Sequence, residues 1–305
     1  MLIKYLKHNE IDFERWDKAV YNSVNGLVYA TSWYLNIVNP NWEALVTDDY
    51  DIVMPLTYRK KYGIKYLYKP FFSQFLGVFY QNEEFSQYVK DFINQATKYF
   101  KYINININVS NSCFDADYVL KRQTQVLNLN RGYEQLNENY SRSTHNNVKK
   151  AQKEGTVIKQ VNSSKELISL IRHMYAERNV IGVKEQDYKD LNDIINYATK
   201  NNMGKIYHVL YNGQICAAAF FLQWKDRVIS LQTANNNKGR EKRALFKLLD
   251  YIICQYANSN LLLDFAGSNI PGVAEWNLGF GSKHQYYYTI EINKMNKIIK
   301  WLKNR

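Results

Sequence analysis

Three short clusters of basic side chains are the residues of this sequence whose types and spacing most directly suggest chemistry. They comprise Arg59, Lys60, Lys61, Lys65 and Lys69; Lys149, Lys150 and Lys153; and Lys238, Arg240, Lys242, Arg243 and Lys247. Clustered cations raise the local concentration of phosphate, pyrophosphate or nucleic acid. Lysine-rich surfaces also keep proteins in solution, so each cluster could equally be a solvated face. Charge therefore suggests an anionic partner without identifying it.

A single carboxylate, Asp264, ends the apolar run Leu261–Phe265. Burying a carboxylate is costly unless it has a partner. One role is that of a general base, or an anchor for a substrate amine, at the open end of a sheet. The other is structural: the carboxylate accepts hydrogen bonds from the amides of the following turn, Gly267-Ser268. We take Asp264 as the candidate catalytic residue and leave the structural role open beside it.

Other reaction types have little support in the sequence. The five histidines lack the spacing of a metal pair, so we expect no metal site. No G-x-S-x-G elbow is present. The three cysteines, Cys113, Cys216 and Cys254, are odd in number and form no C-x-x-C, which argues against a disulfide framework or a zinc cluster.

Length and composition indicate a folded protein of one large or two ordinary domains. The chain has 305 residues, a net charge of +12 and 46% hydrophobic residues, enough for a packed core. No apolar run approaches the ~18–20 residues that cross a bilayer, and the first residues become charged too early for a signal peptide. We expect a soluble, cytoplasmic protein without stable membrane insertion.

The second half of the chain has the clearer pattern, predicting the order β-α-α-β-β-β-α-β-α-β. The period of its apolar residues changes from helical to alternating near residue 206. Asn212-Gly213 then predicts a two-residue hairpin, because this dipeptide tolerates the positive φ angles of a type I′ turn. A polar loop leads to one long predicted helix at about 240–257, and the last helix is predicted at 294–303.

The first half repeats this order less clearly, which suggests an internal duplication. In its strand 102–109, isoleucine and valine alternate with asparagine, so one face is buried and the other polar. We predict an N-terminal module at 1–140, a basic linker helix at 141–155 and a C-terminal module at 156–305. The terminal helix 294–303 is expected to pack back on the first module.

Four segments resemble motifs of the FemA/FemB/FemX (FemAB) transferases, a family of the GNAT superfamily. The linker 140–155 is similar to the family's tyrosine-to-glycine basic stretch, and LDFAG at 263–267 to its Y-D-F-x-G strand end. AEWNLGFG at 274–281 resembles F-K-x-G-F-G, and SQFLGVF at 73–79 resembles a Q-x-L-G-x-F run. The resemblance implies an α/β (α+β) fold of two tandem GNAT-like acyltransferase modules, each a mixed central sheet flanked by helices.

The resemblance further implies an acyl- or aminoacyltransferase. An amine acceptor, either a small molecule or a cell-wall precursor, would attack an activated acyl group directly, in the modification of cell-wall or polysaccharide precursors. The donor would be acyl-CoA or aminoacyl-tRNA, with tRNA as a further partner and no tightly bound cofactor.

The resemblance also suggests where the ligands bind. Gly239, Arg240, Lys242 and Arg243 correspond to the donor-binding start of a GNAT helix. Lys69, Phe72 and Gln74 could line the acceptor groove of the first module, or this aromatic stretch could pack between modules. Lys149 and Lys150 could contact an acceptor phosphate, or they could lie on a solvated linker helix.

Two departures from the family pattern affect function more than fold. His145-Asn146 stand where the family usually has Arg-Arg, and Asn277 stands in place of a lysine. Both changes remove cations that could have met phosphate or an oxyanion. The alternative is therefore a catalytically inactive duplicated module that binds RNA or an anionic glycan. A peripheral membrane role would rest on the terminal helix alone.

Overall fold

The protein divides into two compact units by its internal contacts. The computed structural model describes residues 2–61, 63–108, 110, 118–267 and 269–295. Unit 1 comprises Met1–Arg122 with Tyr286–Arg305, and unit 2 comprises Gln123–Gln285. These divisions differ from the predicted ones at 140 and 156. The predicted terminal helix 294–303 lies, apart from its first two residues, outside the described residues.

Unit 1 combines a small antiparallel sheet with part of a mixed sheet. The small sheet has the strand order β1-β2-β3-β6, and the mixed part has the order β4-β5-β7-β14. The elements are β1 (Lys4–Leu6), α1 (Phe13–Asn22), α2 (Ser32–Val38), β2 (Glu43–Val46), β3 (Ile52–Leu56), β4 (Tyr58–Lys61), β5 (Ile64–Tyr68), β6 (Phe79–Tyr80), α3 (Val89–Tyr99), β7 (Tyr102–Ile107), the start of β8 (Val119–Asn128) and most of β14 (Lys283–Asn293).

The alternation of isoleucine and asparagine along β7 determines which face of this strand packs into the core of unit 1. Ile103, Ile105 and Ile107 are buried, whereas Asn104 and Asn106 on the opposite face are partly exposed. The isoleucines pack in one cluster with apolar residues of α3, as the predicted polar and apolar faces require.

Unit 2 is one mixed sheet with helices around it. Its strand order is β8-β13-β12-β11-β10-β9. The elements after β8 are α4 (Tyr133–Glu138), α5 (Arg142–Lys153), β9 (Val157–Val161), α6 (Lys165–Glu177), α7 (Glu185–Lys200), β10 (Gly204–Tyr211), β11 (Gln214–Trp224), β12 (Arg227–Asn235), α8 (Asn237–Glu241), α9 (Ala244–Tyr256), β13 (Leu262–Asp264), α10 (Pro271–Leu278) and the first residues of β14.

Local predictions in unit 2 hold with one exception. Asn212 and Gly213 have φ angles of 48° and 79°, as a type I′ turn requires, and the linker helix begins at the cap Ser141, whose Oγ accepts from the Thr144 amide. The single helix predicted at 240–257 is wrong. Two helices, α8 and α9, meet there because Arg243 has a left-handed φ of 56° and interrupts the helical backbone.

Each unit contains two parallel strands joined through helices, which supports the predicted duplication. In unit 1 these are β5 and β7, and in unit 2 they are β12 and β13. The last strand of the N-terminal half of the chain, β8, pairs antiparallel with β13 in unit 2. The last strand of the C-terminal half, β14, pairs antiparallel with β7 in unit 1. This exchange explains why the units divide at 122 and 285. The predicted α/β class of mixed sheets flanked by helices is confirmed.

Candidate functional site

The two parallel strands of unit 2 separate along their length. β13 pairs with β12 only at Arg227–Ile229 and ends at Asp264. Beyond Ile229, β12 has no strand partner on this side among the described residues, while its other side stays paired with β11 as far as Asn235. The outer edge of β12 therefore offers backbone hydrogen-bonding groups to a ligand.

A cavity of about 390 Å³ lies at the end of this edge, within unit 2. Apolar side chains form part of its wall: Met174 from α6, Leu245 and Phe246 from α9, and Val273 and Trp276 from α10. Thr233 and Asn235 of β12, Gly239, Gly272 and three arginines complete the lining. The cavity thus joins an apolar wall to a cationic one.

The three arginines, Arg178, Arg240 and Arg243, differ in how far their charge is already paired. Arg240 donates to Glu177, with an Nη2–Oε2 distance of 3.1 Å. Arg243 Nη1 donates to the carbonyl of Arg240 at 2.8 Å, but its buried Nε has no hydrogen-bond partner. Within the described part of the chain, Arg178 and Arg243 form no ion pair. A buried donor without a partner is costly. Since Arg243 also lines the cavity and forms no ion pair in the described part of the chain, its positive charge favours an anion there.

Gly239 is required by close packing between α8 and β11. Its amide donates to the cap Asn236 at 2.9 Å, so this N–H is already in use. A Cβ at this position would overlap the carbonyl oxygen of Cys216. Gly239 therefore shapes the cavity through packing rather than through a free amide.

Replacement of Gly239 by alanine should destabilise the protein because the added methyl group has no room. Overpacking of this kind costs about 1–3 kcal/mol, and thermal unfolding should show a clearly lower Tm. Gly272→Ala is the matched control, since nothing lies within 4 Å of a Cβ there. Equal Tm values for the two variants would contradict the packing role.

Three predicted cations, Lys242, Lys149 and Lys150, do not line the cavity. Lys242 instead forms an ion pair with Glu154 at 2.6 Å, and this hydrogen bond raises the pKa of Lys242. Lys149 and Lys150 lie exposed on α5, and neither is among the cavity residues. Their contribution to acceptor binding stays a prediction.

Asp264 is buried and satisfied by its neighbours, with 1% exposure. Its Oδ2 accepts from Arg227 Nη1 at 3.2 Å, and its Oδ1 accepts from the Ala266 amide at 2.9 Å. Burial raises the pKa of Asp264, while Arg227 and the Ala266 amide partly oppose this shift. Asp264 does not line the cavity. These contacts favour the structural role over the catalytic one. Asp264 accepts from the amide of Ala266, the amide of Gly267 donates to Thr124 Oγ1 instead, and Ser268 lies outside the described residues.

The predicted acceptor residues lie in unit 1, on the loop after β5. Lys69 is half-buried, its Nζ donates to the Ser73 carbonyl at 3.3 Å, and burial lowers its pKa. Phe72 is buried, and its carbonyl accepts from Tyr34. The Gln74 carbonyl accepts from an asparagine of β7. Among these three side chains, only that of Lys69 can carry the positive charge that attracts an anionic group.

Asn277, which stands where the family motif has a lysine, has a buried side-chain amide. Asn277 is 2% exposed, and its Nδ2 donates to Gln125 Oε1 at 2.9 Å. In the same segment, Gly279 accepts from the Ser141 amide at 2.8 Å, and a Cβ on Gly279 would overlap Thr144 Oγ1. The linker motif and the glycine-rich motif are thus in contact, with the start of α5 packed on Gly279.

Comparison with solved structures identifies the fold. The structure of FemX matches with a TM-score of 0.67 over 100% of both chains at 12% identity. The C-terminal domain of a putative lysylphosphatidylglycerol synthetase from Agrobacterium fabrum matches with a TM-score of 0.58 over 96% of this chain and 95% of that one, at 11% identity. A tandem GNAT protein from the clavulanic acid biosynthesis pathway matches with a TM-score of 0.52 over 97% and 100%, at 9% identity. The chain has a FemAB/GNAT-like fold, as the motifs predicted.

No protein-family model and no curated protein matches the sequence. Of the predicted donor-binding residues, Gly239, Arg240 and Arg243 line the cavity, and their role there stays a prediction; Arg178, Thr233 and Trp276 also line it and were not predicted. Arg178 directly follows the helix α6, which is an ordinary place for a basic residue, so no sequence signal distinguished it. Among the described residues, no group of three or more histidine, cysteine or acidic side chains could hold a metal ion.

Proposed function

We propose that the protein is an acyl- or aminoacyltransferase that binds an activated, phosphate-bearing acyl donor in the cavity of unit 2. The single observation that carries this proposal is the cationic wall of the cavity, where Arg178, Arg240 and Arg243 lie beside apolar side chains. A donor of acyl-CoA type combines an anionic pyrophosphate with an uncharged arm, and it fits both walls. An aminoacyl-tRNA end also carries phosphates and is the second donor to be tested.

The local backbone supports an anion at the same place. α9 begins directly after Arg243, and no side chain caps its N-terminus. Helix N-termini carry free N–H groups and a partial positive charge. The guanidinium groups and the start of this 13-residue helix therefore act on the same part of the cavity.

In this proposal the reaction takes place along the unpaired edge of β12. Backbone groups beyond Ile229 can hold the donor's arm extended along the strand, with its carbonyl toward the end of β13. An acceptor amine attacks this carbonyl; a C–N bond forms, and the C–S bond of a thioester, or the C–O bond of an ester, breaks. The leaving group departs with the electron pair, and the amine's proton passes to solvent or base. The acceptor class proposed is a small-molecule or cell-wall-precursor amine.

Arg243→Met should weaken donor binding by roughly 10- to 100-fold, because a hydrogen bond to a charged group is lost. Methionine keeps the Cβ and hence the same left-handed backbone. Lys238→Met is the control: it removes one charge from the neighbouring helix α8, but Lys238 pairs with Glu241 and is outside the cavity lining. Calorimetric titration with coenzyme A and with tRNA measures both variants, and equal losses would show only a general charge effect.

Turnover distinguishes the transferase from its alternative. Incubation with acetyl-CoA and candidate amines should release free thiol at a rate that depends on the amine, and aminoacyl-tRNA should be tested in parallel by loss of the charged form. Tight binding of RNA or an anionic glycan with no product from either donor would instead support the inactive binding module.

A further inference from the structure

The connection between α6 and α7 holds an apolar side chain in water. We define residues 180–183, with the sequence Val-Ile-Gly-Val, as the tip segment. Ile181 is 93% exposed, and Val180 is 39% exposed. Isoleucine is among the residues most often buried in folded proteins. Nearly complete exposure leaves the Ile181 side chain available to an apolar phase outside the protein.

The backbone fixes the tip segment at both ends, so the exposure does not come from a frayed loop. Asn179 adopts a left-handed φ of 50°, the Val180 amide donates to the Tyr175 carbonyl at 3.0 Å, and the Asn179 amide donates to the Ala176 carbonyl at 3.2 Å. This pattern is a Schellman motif closing α6. At the other end, the Lys184 amide donates to Asp187 Oδ2 at 2.6 Å and begins α7.

The charges beside the tip segment favour an anionic surface. Arg178 and Lys184 flank it, and in the described part of the chain neither forms an ion pair. The two flanking acids are already occupied. Glu185 binds Arg172 through two hydrogen bonds of 2.5 and 2.6 Å, and Glu177 binds Arg240. The net charge of the whole chain is +12.

We propose that the tip segment inserts into the surface of an anionic lipid bilayer, with Ile181 and Val180 among the lipid headgroups and Arg178 and Lys184 facing lipid phosphates. Two exposed side chains are too few for a stable protein interface, which buries roughly 1,000 Å² or more. Apolar tips flanked by cations bind bilayer surfaces through apolar burial plus attraction to anionic lipids. No helix among the described residues is long and apolar enough to cross a membrane.

The position of this surface has a consequence for substrate access. Arg178 and Met174, near the end of α6, also line the cavity of unit 2. A second exposed isoleucine, Ile270 at 66%, comes just before the cavity residues Gly272 and Val273. Insertion of the tip segment would therefore bring the cavity close to the bilayer surface.

Sedimentation with lipid vesicles tests the proposal without depending on transferase activity. The full chain should bind vesicles containing phosphatidylglycerol, bind vesicles of phosphatidylcholine alone much less, and release as salt is raised. Ile181→Asp should lower vesicle binding about tenfold or more, and Lys184→Gln about fivefold. Ile181→Leu should bind like the unchanged protein.

Leu2→Asp is the matched control, because Leu2 is 64% exposed but lies in unit 1 far along the chain from the tip segment. It should leave vesicle binding unchanged, and Ile181→Asp should leave the Tm and donor affinity unchanged. Absence of binding to phosphatidylglycerol vesicles would overturn the proposal. So would equal binding by the Ile181→Asp variant.

Discussion

Neither Met1–Glu154 nor Gly155–Arg305 is expected to fold when it is expressed alone. The first fragment lacks β14, which pairs with β7 in unit 1 and contributes the buried Tyr287 and Ile290. The second fragment lacks β8, α4 and α5. It loses five buried core residues: Leu127, Leu129, Leu136, Tyr140 and Val148.

The loss of these five buried side chains is large enough to prevent the second fragment from folding. Burying one such side chain contributes about 1.5–3 kcal/mol, so five approach the whole ~5–15 kcal/mol stability of a domain. Far-ultraviolet circular dichroism and urea unfolding should show no cooperative transition for either fragment, while coexpression should restore a folded complex.

The control is to cleave the full chain at the same position, between residues 154 and 155, after it has folded. A protease site can be placed between Glu154 and Gly155, where the chain is partly exposed. The cleaved protein should stay folded because β8 remains paired with β13, and β14 remains paired with β7. A cooperative transition in an isolated fragment, with a midpoint near that of the full chain, would contradict the exchange of strands.

Arg227→Met is expected to lower the free energy of unfolding by about 3–5 kcal/mol at neutral to alkaline pH. The substitution leaves the carboxylate of Asp264, which is 1% exposed, without its cationic partner. Removing one partner of a buried ion pair costs this much because the remaining charge is uncompensated. Urea unfolding monitored by tryptophan fluorescence measures the change.

The cost should depend on pH in a defined direction. Burial raises the pKa of Asp264, and the variant loses the opposing effect of Arg227, so the folded-state pKa rises further. A carboxyl whose folded pKa lies above its unfolded value stabilises the fold at low pH, and this contribution is lost as pH rises through the folded pKa. The cost of Arg227→Met should therefore shrink on acidification.

The double variant Arg227→Met/Asp264→Leu removes both charges and should recover most of the lost stability and abolish the added pH dependence. Glu185→Gln, which breaks an exposed ion pair, should change stability far less than Arg227→Met. A pH-independent loss in Arg227→Met would refute the buried-charge explanation. If Asp264 were instead the catalytic base, Asp264→Asn would abolish turnover while the Tm stayed unchanged.

Local features were predicted well because they depend on residues close together in the chain. The Asn212-Gly213 turn, the Ser141 cap of α5 and the alternating faces of β7 all follow from neighbouring residues. The break at Arg243 was missed because nothing in the local pattern signals a left-handed arginine within an otherwise helical run. That backbone also places the arginine whose Nε lacks a partner.

Most helices and strands, the apolar faces of these elements and the motifs that indicate the FemAB/GNAT-like fold could be predicted from the sequence. Three long-range features could not: β8 pairs with β13 and β14 with β7, Arg227 forms an ion pair with Asp264, and Arg178 and Arg243 line the same cavity. An apolar face indicates that it must be buried, but it does not indicate which element packs against it. Strand pairing and the convergence of charges depend on residues distant along the chain, and no local periodicity encodes them.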